Sequence, residues 1–68
     1  MLKNNLNKWI TKSGYKKKYI ADELGVSQTV LSRWISGKSN PSLENAFKLA
    51  ELLRCKVDDL YERKKEGN

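Results

Sequence analysis

The chain lacks histidine altogether and has a single cysteine, Cys55, among its 68 residues. Without histidine, the side chain most used for proton transfer near neutral pH and the commonest metal ligand are both missing. One cysteine permits neither an internal disulfide nor a cysteine-based zinc site. Cys55 is therefore read as a small buried apolar residue. No apolar stretch approaches the roughly 20 residues of a membrane-spanning helix, and the first residues lack the apolar segment of a secretory signal. The hydrophobic fraction of 38% and the short length suit one small core. These shortages lead to the expectation of one soluble cytoplasmic domain over residues 1–63, followed by a polar frayed tail at 64–68. No enzyme, metal, cofactor or small-molecule ligand is expected.

Acidic residues are scarce in the first forty positions. Asp22 and Glu23 face eight basic residues there: Lys3, Lys8, Lys12, Lys16, Lys17, Lys18, Arg33 and Lys38. The remaining positions carry six residues of each sign, so the entire net charge of +6 belongs to the first part. Such polarity suits a polyanionic partner, either nucleic acid or an acidic membrane. A solvated lysine-rich face that favours solubility explains the composition equally well. The membrane reading is the weaker one, because no lipid-facing apolar surface accompanies the lysines.

Apolar residues recur at helical spacing throughout, and no period-2 alternation is long enough for a sheet. Leu2, Leu6, Trp9 and Ile10 form one face of a first helix ending near Ser13-Gly14. Tyr19, Ile20 and Leu24, with Ala21 inward, mark a second helix stopped by Gly25. Ser27 is an N-cap for a third helix bearing Val30, Leu31, Trp34 and Ile35 and ending at Gly37. Trp34 is read as core, with Trp9 at the edge of its stripe. After a loop over Lys38 to Pro41, Ser42 caps a fourth helix whose stripe is Leu43, Ala46, Phe47, Ala50 and Leu53. A fifth segment starts near Val57, with Asp58 and Asp59 favourably placed for its dipole. The expected fold is all-α, a compact five-helix bundle.

The stretch from Ile20 to Trp34 joins two short helices through a tight turn. Ala21 allows close approach of the next helix, Gly25 permits the bend, Val26 plugs the gap and Ser27 starts the second helix. This is the helix-turn-helix pattern, which lays its second helix in the DNA major groove. Gly37-Lys38-Ser39 looks like the end of a phosphate-binding loop. Ser32 stands where that motif needs glycine, and no strand precedes it, so nucleotide binding is rejected.

Between about Leu6 and Tyr61 the chain resembles the Cro and phage-repressor (XRE-like) helix-turn-helix family. The resemblance rests on Ala21-x-x-Leu24-Gly25-Val26-Ser27, Ser32-Arg33-Trp34, Ser36-Gly37-Lys38 and Pro41-Ser42-Leu43-Glu44. It implies the five-helix phage-repressor fold, with helices two and three as the helix-turn-helix. It also implies a cytoplasmic, nucleoid-associated transcriptional regulator of bacterial or phage type, a repressor by preference. Two positions depart from the family. A glutamine that commonly opens helix two is Lys17 here. An arginine late in helix one and a glutamate late in helix three, often paired, are Ile10 and Ile35, so an apolar contact is expected in place of a buried ion pair.

Given the motif, Gln28, Thr29, Ser32 and Arg33 are the expected base contacts, with Arg33 reaching either a guanine or a phosphate. Lys17 is the first choice for a phosphate contact, followed by Lys16, Lys18, Ser27, Ser36, Lys38 and Asn40. Tight binding commonly uses two half-sites, so a homodimer on double-stranded DNA is expected. Leu49, Leu52, Val57 and Tyr61 either form its dimer patch or complete the monomer core. The alternative function is an antitoxin-like or antirepressor-like module that keeps the fold for contact with another protein.

Overall fold

The computed structural model describes residues 2–63, and the polar tail expected at 64–68 lies outside them. The helices are α1 (Leu6–Ser13), α2 (Lys17–Leu24), α3 (Gln28–Ser36), α4 (Leu43–Leu53) and α5 (Val57–Leu60). Five helices were expected, and their order and caps agree closely with the sequence reading. Ser27 Oγ accepts the Val30 amide at 3.1 Å, and Ser42 Oγ accepts the Asn45 amide at 3.2 Å.

The chain also forms a small sheet that the sequence did not announce. Strand β1 (Leu2–Asn4) pairs antiparallel with β2 (Tyr61–Arg63), placing Asn4 opposite Tyr61. Leu2 therefore belongs to a strand, not to the face of the first helix. The cause lies in Asn4 and Asn5. Asn4 Oδ1 accepts the Leu6 amide at 2.8 Å, and the Asn5 amide donates to the Leu60 carbonyl at 2.8 Å. Asparagine side chains compete for backbone groups in this way and start helices more readily than they continue them.

Three helices end alike. Gly25 after α2, Gly37 after α3 and Arg54 after α4 are all left-handed, at φ 71°, 82° and 58°. In each case the next amide reaches back: Val26 to the Ala21 carbonyl, Lys38 to Arg33 and Cys55 to Ala50, at 2.9 to 3.0 Å. This double closure satisfies carbonyls that a helix end leaves open. Glycine takes the conformation at no steric cost, whereas a side chain costs roughly 1–2 kcal/mol. Arg54→Gly should consequently stabilise the protein by about 1 kcal/mol and raise its Tm by about 4–8 °C. A thermal melt followed by circular dichroism checks this.

The core gathers Leu6 and Ile10 of α1, Ile20, Ala21 and Leu24 of α2, Leu31 and Trp34 of α3, Leu49, Ala50 and Leu53 of α4, and Leu60. No polar or charged residue among those described is buried. On α4 the buried face is Ala46, Leu49, Ala50 and Leu53, which differs from the expected stripe. Leu43 and Phe47 lie about 60° and 100° round the helix from Ala46, and they stay 72% and 56% exposed. Both sets of residues obey helical spacing, and only the position of α1, α2 and α5 around α4 chooses between them. Tyr19 likewise lies outside the core and is exposed.

Candidate nucleic-acid interface

Helix α3 buries Leu31 and Trp34 and turns Gln28, Thr29, Ser32 and Arg33 outward, where all four are exposed. The separation follows from helix geometry, since residues three or four apart share a face. Three residues, Gly25, Val26 and Ser27, connect α2 to α3. Val26 is half-buried against the core, as the motif requires.

Lys16, Lys17 and Lys18 are exposed at the start of α2. This helix begins without a side-chain cap, unlike α3 and α4, so its first-turn amides stay open to a ligand. Lys38 and Asn40 are exposed in the loop after α3. Among the described residues, the one salt bridge joins Lys48 to Glu44 at 3.4 Å. Among those residues, no carboxylate pairs with the lysines of the first forty positions. Lys12 instead holds its ammonium 5.0 Å from the centre of the Trp9 ring.

Two serines expected at phosphates behave differently. Ser27 Oγ accepts the cap bond, which leaves its O–H proton free to donate. Ser36 donates its proton to the Arg33 carbonyl at 3.1 Å. A phosphate offers only acceptors, so a phosphate contact by the exposed Ser36 hydroxyl competes with that bond.

The four-residue dimer patch does not exist as one surface. Leu49 is fully buried and completes the monomer core. Leu52 is half-buried among Ser13, Tyr15, Glu23 and Leu24, on the opposite side of α4 from Leu43. Val57 and Tyr61 share a shallow groove of about 370 Å³ with Pro41, Leu43 and Ala46. The Tyr61 hydroxyl is buried with no hydrogen-bond partner, and burial raises its pKa. Cys55 is half-buried, and its thiol pKa is raised by burial and then by nearby Asp59.

Two features escaped sequence reasoning. Tyr15 and Tyr19 form an exposed tilted pair beside the lysine run, with ring centres 5.0 Å apart. Their i, i+4 spacing was the available signal. Asn4 donates to the carbonyl of Trp34, near the end of α3, at 2.7 Å. The doubled asparagine ahead of α1 hinted at a turn but not at this partner.

A short turn between two packed helices, with polar side chains displayed on the second, defines a helix-turn-helix module. The helix-turn-helix family model matches residues 6–60, and the chain belongs to that family, in its Cro and phage-repressor branch. It is 39% identical over 44 residues to the cryptic phage CTXphi transcriptional repressor RstR of Vibrio cholerae, a stretch covering 65% of this chain and 39% of that one. It is 32% identical over 60 residues to an HTH-type transcriptional regulator of Methanocaldococcus jannaschii, covering 88% of this chain and 91% of that protein. The crystal structure of a transcriptional regulator from Listeria innocua superposes with a TM-score of 0.79 at 26% identity, covering 94% of this chain and 60% of the other. The chain thus spans well under two thirds of the length of the Vibrio relative. No helix among the described residues is long and apolar enough to cross a membrane.

Proposed function

We propose that the protein is a sequence-specific transcriptional repressor that reads double-stranded DNA with α3 in the major groove. The observation that carries this reading is the exposed row Gln28, Thr29, Ser32 and Arg33 on a helix whose other face is locked into the core. Gln28 suits paired hydrogen bonds to adenine, and Thr29 suits a thymine methyl. Arg33 suits either two bonds to guanine or a phosphate, and Ser32 reaches whichever is near. Lys17, then Lys16 and Lys18, with the uncapped amides of α2, fit one DNA strand. Ser27 at the start of α3, and Lys38 and Asn40 in the loop after its end, fit further phosphates.

Two such modules on one operator would place their recognition helices about 34 Å apart. Val57 and Tyr61, joined by the exposed Leu43 and Phe47, are the apolar residues available for pairing in the neutral half of the chain.

Selection from a random duplex pool tests the proposal, and a palindromic enriched site is expected. Gln28→Ala should then cost about 1–3 kcal/mol and relax preference at one position, whereas Lys17→Ala should weaken all sequences alike. Equal losses on selected and random DNA for both variants would refute this division of roles.

A further inference from the structure

Helix α3 is held mostly by apolar packing, through Leu31, Trp34 and the half-buried Ile35. Burial of this kind is strong but non-directional, and it leaves small rotations and slides of a helix weakly specified. Side chains that must meet base edges at hydrogen-bond distance tolerate little of either. Among the described residues, α3 makes one hydrogen bond to a residue beyond its own flanking turns. It is the bond from the Asn4 side-chain amide to the Trp34 carbonyl, 2.7 Å long and spanning thirty positions of sequence.

Asn4 is itself fixed at two further points. Its backbone lies opposite Tyr61 in the sheet, and its Oδ1 accepts the Leu6 amide at the start of α1. The next residue, Asn5, bonds the Leu60 carbonyl through its backbone, and the Asp59 carbonyl and Glu62 through its side chain. One amide group thus joins β1, the first turn of α1 and the last turn of α3. The two ends of this amide are chemically fixed, since the oxygen faces an N–H and the nitrogen faces a carbonyl. Asn4 lies outside residues 6–60, the span that matches the family.

We propose that Asn4 is a positioning residue for DNA reading, tying the axial rotation and seating of α3 to the terminal sheet. It touches no base. This inference rests on the reading of α3 as the recognition helix. Asn4→Asp separates the two arms of the side chain, because a carboxylate still accepts the Leu6 amide but has no proton for the Trp34 carbonyl. Asn4→Ala removes both arms without adding charge, and Lys3→Gln is the control for a lost positive charge on the same strand.

The experiment first selects a duplex from a random pool with the unmodified chain, then measures each variant on that duplex and on random duplex. Measurements are made at a temperature where circular dichroism shows every variant folded. Asn4→Asp and Asn4→Ala should each lower the ratio of selected to random affinity by about three- to tenfold, the range of one hydrogen bond. Lys3→Gln should leave that ratio unchanged. Hydrogen exchange supplies a second reading on the same variants. The last-turn amides of α3 should exchange faster in Asn4→Asp while those at the middle of α4 keep their protection.

An unchanged affinity ratio in both Asn4 variants overturns the proposal, as does equal weakening on both duplexes. If the unmodified chain enriches no sequence at all, the DNA-reading function itself has failed and this inference falls with it.

Discussion

Ile10→Arg is expected to lower stability by about 3–5 kcal/mol, the cost of leaving a charge buried without a partner. Ile10 is 5% exposed, and no polar or charged residue among those described is buried. A domain of this size has a total stability of roughly 3–10 kcal/mol. The variant should therefore show a transition far below that of the parent, or no cooperative transition, in a urea or thermal melt. Ile35 is half-buried against the same cluster, at the position where the family resemblance would put a glutamate. Adding Ile35→Glu to Ile10→Arg should restore part of the loss, with a favourable coupling energy in the double-mutant cycle. A melting temperature unchanged by Ile10→Arg would show that the arginine escapes to solvent and that the apolar pair has no structural role.

The second large effect concerns salt. If the lysines of α2 and the loop after α3 meet phosphates, each contact releases condensed counterions. Log K then falls against log salt with a slope of about −0.9 per contact. A pair of modules making six to ten such contacts would lose about 10³- to 10⁵-fold in affinity between 50 and 200 mM salt. Lys17→Ala should make the slope shallower by about one per module, while Gln28→Ala should leave it unchanged. A flat salt response would remove the DNA reading and favour a protein partner.

Much of this molecule was legible because its signals are local. The caps at Ser27 and Ser42, the left-handed stops at Gly14, Gly25 and Gly37, and the inward anchors Leu31 and Trp34 all stand where the sequence placed them. Each depends on residues within one helical turn. The failures share the opposite property. Leu49 and Leu43 exchanged roles because the buried sector of α4 is chosen by neighbours distant in sequence. The sheet was missed because strands of three residues are too short for alternation to register. Asn4 and Trp34 lie thirty positions apart, and no spacing rule connects them. Within the candidate interface, exposure of Gln28, Thr29, Ser32 and Arg33 was readable from periodicity. That Ser36 gives its proton to the Arg33 carbonyl was not, because a hydroxyl's choice of partner depends on its rotamer.

The pairing of β1 with β2 also governs the order of folding. Its register joins Leu2 to Arg63, the widest span of chain that any element pair in this fold closes. The helices and the turn between α2 and α3 form from near neighbours and can assemble before that span is closed. Loop closure on this scale carries an entropic cost that local turns avoid, and contacts of long sequence separation slow folding. The sheet is accordingly expected to join last and to open first. In that order the helices would be complete before the bond from Asn4 to the end of α3 is made.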